Sequence, residues 1–167
     1  MKVILYMAIT ANGMIAKEND DTPWSQEEWE SYARKVKECG NLIIGRKTFE
    51  VTDKNDFKKI GNPFVVVVSS KKLSISKGAV FENSPEQALT LVKEKGFSQA
   101  LICGGGGNNT SFMKAGLVNE IYLDVEPFIF GKGIPLFRPE EFEYKLELLE
   151  VNKLSSQTIQ LHYKVLK

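Results

Sequence analysis

Four stretches of the chain are apolar without alternation. Val3–Ile9, Asn41–Gly45, Pro63–Ser69 and Gln99–Cys103 carry aliphatic or β-branched residues at consecutive positions. A strand reads this way when both of its faces are buried, as in a parallel sheet covered by helices on either side. The last third of the chain differs. Glu120–Phe130, Phe142–Val151 and Thr158–Leu166 lean toward alternation, with a turn-like Asn152–Ser156 between the last two. That pattern predicts antiparallel strands and a closing hairpin. Between the early strands lie helix signals. Ser25 is placed to cap a helix running to about Glu38 and closed by Gly40. Ser84-Pro85-Glu86-Gln87 is a capping box with proline at the first helical position, and Gly96 ends that helix. A shorter helix is predicted from about Asn109 to Ala115, stopped by Gly116. The order β-α-β-(α)-β-β-α-β-α-β-β-β predicts a mainly parallel α/β sheet with an antiparallel C-terminal edge.

Length and composition narrow the function. At 167 residues, positions 1–167 read as one domain with a proper core, without repeats or linkers. Lys and Arg number 22 against 21 Asp and Glu, a balance that argues against a nucleic-acid-binding surface. No apolar run reaches membrane-spanning length, and the N-terminus has no secretory pattern. Cys39 and Cys103 are expected to be free thiols in a reducing, cytoplasmic setting. One histidine and two cysteines are too few for a zinc site, so no metal is expected. The expected partner is a small molecule, with the chain working as a monomer or homodimer.

The chemistry concentrates at strand ends. Ile102-Cys103-Gly104-Gly105-Gly106-Gly107-Asn108 follows a strand and precedes a helix. Consecutive glycines let backbone N–H groups approach an anion, and the helix start adds its positive end. A diphosphate is the natural guest, although the spacing is neither G-x-G-x-x-G nor a P-loop. Gly45-Arg46-Lys47-Thr48 and Ser69-Ser70-Lys71-Lys72 end two further strands with cations and hydroxyls. Beside a diphosphate loop they point to a third phosphate, hence NADP(H) rather than NAD(H).

Longer stretches carry a family likeness. Met7-Ala8-Ile9-Thr10-Ala11-Asn12-Gly13-Met14-Ile15-Ala16, Thr22-Pro23-Trp24 and Ile44–Phe49 resemble the dihydrofolate reductase pattern. Gly104–Ile121 and Pro127–Phe137 resemble the reductase domain of riboflavin biosynthesis, which has the same fold. The resemblance implies a dihydrofolate reductase-like three-layer fold, with a central, mostly parallel eight-stranded sheet, an antiparallel C-terminal edge and helices on both faces. It implies NADPH as cofactor, with nicotinamide near Ala8 and Ile15. The 2′-phosphate would lie near Arg46, Ser69 and Lys71, and the diphosphate on Lys47, Thr48 and Gly105–Asn108. Gly45, Ser70, Cys103 and Gly104 complete the expected cofactor set.

On the substrate side the resemblance implies a carboxylate on the helix after the Pro-Trp loop. Glu28 takes that place after a one-residue shift, with Trp29 and Tyr32 as ring-packing residues and Tyr6 and Phe49 completing the substrate set. Glu28 has a second reading: in Ser25-Gln26-Glu27-Glu28 it is the acid of a capping box. Asp124 falls where the family has a hydroxyl residue near the acid, and it reads either as a second catalytic carboxyl or as an edge-strand residue facing water. The stretch Ile60-Gly61-Asn62-Pro63-Phe64 lacks the arginine that grips a folate tail. His162 reads as a sheet histidine, and Cys103 has no visible base to activate it. The leading expectation is a hydride-transferring reductase of a reduced pterin. The alternative is reduction of 5-amino-6-(5-phosphoribosylamino)uracil. A non-catalytic NADP(H)-binding module is the expectation from another class.

Overall fold

The computed structural model describes residues 1–71 and 78–167. Lys72 of the second cationic strand end lies outside the described residues. The strands are β1 (Lys2–Thr10), β2 (Met14–Ala16), β3 (Asn41–Gly45), β4 (Phe64–Val68), β5 (Ala79–Glu82), β6 (Gln99–Ile102), β7 (Glu120–Glu126), β8 (Ile134–Pro135), β9 (Leu146–Lys153) and β10 (Ile159–Val165). The helices are α1 (Gln26–Cys39), α2 (Arg46–Val51), α3 (Lys54–Lys59), α4 (Pro85–Glu94) and α5 (Gly106–Lys114). Eight strands form one sheet in the order β5-β4-β3-β6-β1-β7-β10-β9, and β2 pairs with β8 in a small ribbon. Pairing is parallel from β5 through to β7. It turns antiparallel where β10 joins β7 and β9. This is the dihydrofolate reductase-like architecture that the resemblance implied.

The unbroken apolar runs explain the layers. In β1, Val3 and Leu5 enter a core with Ala88 and Val92 of α4 and Phe112 and Met113 of α5. Ile4 and Tyr6 enter a second core on the opposite face, with Val36 and Cys39 of α1. Each parallel strand must therefore be apolar at every position. Helix α1 begins where expected: Ser25 Oγ accepts from the Glu28 N–H at 3.2 Å. Gly40, at φ 69°, closes it in the left-handed conformation that glycine adopts without a Cβ penalty.

Several expectations are corrected. Helix α5 starts at Gly106 rather than Asn109, so two of the glycines are helical. Arg46–Thr48, expected at the end of the second strand, are the first turn of α2. Strand β9 starts at Leu146, four residues after the expected Phe142. Strand β7 is an interior strand between β1 and β10, so Asp124 does not face water: its exposure is 0%.

Candidate active site

A cleft of about 1020 Å³ opens across the C-terminal ends of β1, β3, β4 and β6. Ligand sites in parallel sheets form there because successive strands end on loops and helix starts that face one crevice. All the expected cofactor residues line it: Ala8, Ile15, Gly45, Arg46, Lys47, Thr48, Ser69, Ser70, Lys71, Cys103, Gly104, Gly105, Gly106, Gly107 and Asn108.

At this end backbone geometry dominates. Gly45 N–H donates to Gly104 O at 2.8 Å, and Gly104 N–H donates to Asn109 Oδ1 at 3.1 Å. A Cβ on Gly45 would come within 3.2 Å of Asn108 Cβ, and one on Gly106 within 2.4 Å of Pro135 O. The strand end and the glycine turn are thus in contact, and side chains there would force them apart. The opening N–H groups of α5 have no partner within the helix. Asn108 donates from Nδ2 to Gly104 O at 3.1 Å, which leaves its buried Oδ1 without a partner. Free N–H donors beside an orphaned acceptor match a group that carries both phosphate oxygens and a ribose hydroxyl. The residues present therefore fit a dinucleotide.

The cations here are engaged in part. Arg46 Nη1 bonds both Glu50 carboxylate oxygens, at 2.7 and 2.8 Å. Lys47 Nζ lies 3.2 Å from Asp20. Ser69 Oγ accepts from Lys71 N–H at 3.1 Å and donates to Lys71 O at 2.9 Å, which curls the β4 end into a tight turn. Arg138 was not anticipated. Its guanidinium lies over Gly107, close enough that a Cβ there would be 3.2 Å from Cζ. The Arg138 N–H donates to Thr110 Oγ1 at 2.8 Å, fixing the residue to α5. It lines the same cleft, and among the described residues no carboxylate pairs with it. Arg138 sits one residue beyond the Pro127–Phe137 stretch, so its proximity to the glycine turn was the missing signal.

The other end of the cleft is lined by Tyr6, Glu28, Trp29 and Tyr32. Phe49 is not among the lining residues. It packs with Phe57 and Phe81, at centroid distances of 6.3 and 5.6 Å, on the inner side of α2. Its place in the expected substrate set is corrected accordingly. Trp29 is 44% exposed at the cleft mouth, edge-on to Tyr32.

Glu28 is 3% exposed. The capping reading of its side chain fails on geometry, because the reciprocal bond belongs to another residue. Glu126 Oε2 accepts from Ser25 N–H at 3.2 Å, and Glu126 Oε1 accepts from Ser25 Oγ at 2.7 Å. Among the described residues no group donates to the Glu28 carboxyl. Burial, then the charges of Asp124 and Glu126, push its pKa up to about 8. Asp124 stands behind Tyr6 and is absent from the cleft wall, which corrects the reading of Asp124 as a carboxyl that itself meets substrate. Its Oδ2 accepts from the Tyr6 hydroxyl, and its Oδ1 from Gln160 Nε2 at 2.8 Å. Burial raises the Asp124 pKa, against the lowering effect of these donors. Tyr6 is held protonated by burial and by the neighbouring Asp124 charge.

Cys103 is buried, and desolvation raises its thiol pKa well above the usual range, so no thiolate nucleophile is available there. His162 stacks on Tyr122 at 3.9 Å and contacts Glu120 at 3.0 Å, away from the cleft.

The chain belongs to the RibD C-terminal domain family, whose profile matches residues 1–160. It is 34% identical over 170 residues to the uncharacterized protein YwjB of Bacillus subtilis (strain 168), covering 97% of each chain. It is 29% identical over 143 residues to dihydrofolate reductase type 1 of Escherichia coli, covering 83% of this chain and 87% of that one. Among solved structures, it resembles a diaminohydroxyphosphoribosylaminopyrimidine deaminase/5-amino-6-(5-phosphoribosylamino)uracil reductase from Thermotoga maritima with a TM-score of 0.77. That likeness, at 15% identity, covers 99% of this chain and 56% of the other, and it is one of fold.

Proposed function

We propose that residues 1–167 act as one domain, an NADPH-dependent reductase that delivers hydride to an imine carbon of an aminopyrimidine of the 5-amino-6-(5-phosphoribosylamino)uracil kind. Membership of the RibD C-terminal domain family supports an oxidoreductase. The observation that carries the substrate reading is Glu28. A carboxyl that keeps its proton donates to an acceptor atom, such as an imine nitrogen or a ring carbonyl. The amidine edge of a pterin presents two N–H donors and is best held by a carboxylate. The two expectations drawn from the sequence therefore change order, with the aminopyrimidine ahead of the pterin.

NADPH, when bound, supplies the hydride. The glycine turn and Arg138 would hold its diphosphate, and Asn108 Oδ1 would accept from a ribose hydroxyl. Ser69, Ser70, Lys71 and Arg46 would surround the 2′-phosphate. Ala8 and Ile15 would flank the ring, with Tyr6, Trp29 and Tyr32 packing the substrate opposite. The ribosylamine ring opens first: its anomeric C–O bond breaks, the ring oxygen becomes a hydroxyl by taking the proton of the glycosylamine N–H, and a C=N to the exocyclic nitrogen forms. Glu28 then gives its proton to that imine nitrogen as the carbon accepts hydride, so C=N becomes CH–NH and the acid is left as a carboxylate. Solvent at the cleft mouth then returns the proton.

The match to a dihydrofolate reductase keeps the pterin as a second reading. Steady-state NADPH oxidation with the ribosylaminouracil phosphate and with dihydrofolate, side by side, separates the two. Turnover of the first alone is the expected result. Turnover of dihydrofolate alone would establish the second reading. Tight NADPH binding without turnover of either would make the chain a binding module.

A further inference from the structure

Ser25, the N-cap of α1, and Glu28 and Ser31 within it, spaced three apart, form one stripe against the face of β7 that carries Asp124 and Glu126. Residues i and i+3 share a helix face, and residues i and i+2 share a strand face, so the two rows meet in register. The outer members of the stripe are tied to carboxylates. Ser25 gives two hydrogen bonds to Glu126, and Thr158 Oγ1 gives a third at 3.0 Å. Ser31 Oγ accepts from Gln160 Nε2 at 3.2 Å and donates to the Tyr6 hydroxyl oxygen at 3.0 Å, and Gln160 and Tyr6 are the two groups that donate to Asp124. Asp124 and Glu126 are 0% and 1% exposed. The middle member, Glu28, is a third buried carboxyl with no donor.

We propose that Asp124 and Glu126 are positioning residues, two hydrogen-bonded carboxyls that hold the partnerless Glu28 carboxyl in its neutral, proton-bearing form on the floor of the cleft. Three carboxyls buried on the facing rows of α1 and β7 do not all ionise. Hydrogen-bond donors favour the charged form of a carboxyl, so the proton belongs on the one without donors. The other titratable groups that feel Glu28 are Tyr6 from β1, Tyr32 on α1 and Cys103 after β6, all neutral. No cation contributes to its environment among the described residues. Burial first, and the neighbouring carboxyls on β7 second, turn this glutamate into a proton donor at neutral pH.

The role of Glu28 as proton donor rests on the reductase reading; its protonation state does not. The test is carbon-13 NMR of the chain labelled at glutamate Cδ, with the Glu28 resonance assigned by its loss in Glu28→Gln. Its titration midpoint is expected well above the ordinary glutamate range. It should fall by about 1 pH unit or more in Asp124→Asn and again in Glu126→Gln. A wild-type midpoint near 4.5, or one unmoved by both variants, overturns the proposal. Should Asp124→Asn not fold, Glu126→Gln alone decides. In turnover, the alkaline limb of the pH profile should move with the NMR midpoint in each variant. Matching NMR shifts without turnover on any imine would sink the reductase reading and leave the carboxyl arrangement standing.

Discussion

The two ends of the cleft are built by different means. The end proposed for the cofactor is assembled largely from backbone: strand termini, a glycine turn and the first turns of α2 and α5, with the charged side chains of Arg46 and Lys47 reaching water. The acid end is assembled from buried side chains, with Glu28, Asp124 and Glu126 at 3%, 0% and 1% exposure on two elements far apart in sequence. On the proposed function, affinity at the first end would come from many contacts spread over several strand ends. At the second, one carboxyl is set by its neighbours, and losing any of the three changes the chemistry. On that reading binding would be distributed along the cleft, and proton supply would be local.

The contrast is tested hardest at Glu28. Glu28→Gln should lower kcat/KM by about 10²–10⁴-fold, measured by NADPH oxidation across pH, with partial recovery at low pH where solvent supplies the proton. The same variant should report on stability. With a folded pKa of about 8, above the ordinary carboxyl range, wild-type Glu28 favours folding fully at low pH. That contribution is lost as pH rises through the folded value. Glu28→Gln should therefore be more stable than wild type at pH 8, by about 2–5 kcal/mol, with the difference vanishing near pH 4 in urea melts. Equal stability at both pH values would mean the carboxyl is solvated.

At the cofactor end, the largest single effect is expected from Gly105→Val. A Cβ there already meets Thr48 Oγ1 at 3.1 Å, and a branched side chain fills the approach to the glycine turn. NADPH binding by calorimetry should weaken by roughly 100-fold or more, with the melting temperature nearly kept. Normal binding by the folded variant would reduce the turn to a connector. Arg138→Ala should weaken NADPH and NADH alike, by about 10-fold, because the diphosphate is common to both. A loss confined to NADPH would move Arg138 to the 2′-phosphate.

The smallest effect is expected at Arg46. Its two hydrogen bonds to Glu50 compete with any phosphate. An exposed pair of this kind is worth only about 0–1 kcal/mol, so the competition is mild. Glu50→Gln should tighten NADPH by roughly 2- to 5-fold and leave NADH unchanged. Tightening of both cofactors would show that Arg46 grips the diphosphate instead.

These differences also explain what could be read from the sequence. The parallel strands were legible because burial on both faces writes an unbroken apolar run, as in Leu42-Ile43-Ile44. The cofactor end was legible because each of its parts is contiguous: Gly45–Thr48, Ser69–Lys71 and Cys103–Asn108 all line the cleft. The acid end was not. The capping box at Ser25 was correct for the backbone, yet Glu126, 101 positions away, took the place expected of Glu28. No local pattern announces such a partner. Asp124 misled for a related reason: a polar residue in an alternating strand reads as facing water, and only the packing of α1 across β7 shows otherwise. Phe49 sat beside a predicted cation cluster, but the helical turn of α2 carries it to the opposite side. Arg138 reached the glycine turn only through the tie between its loop and Thr110.

The position of β1 has a consequence for how the chain acquires this structure. The first strand made lies at the middle of the sheet, and its parallel neighbours are residues 99–102 and 120–126. During synthesis its first strand partner is made only after about three-fifths of these 167 residues, and its second after about three-quarters. Val3, Ile4, Leu5 and Tyr6, all nearly inaccessible at the end, stay exposed for most of that time. Pairings this distant in sequence form slowly and leave apolar surface open to other chains. The strand that carries Tyr6 and Ala8 to the cleft is thus the first to be made and among the last to be enclosed. Chaperone capture of nascent chains should accordingly fall away only once β7 is available.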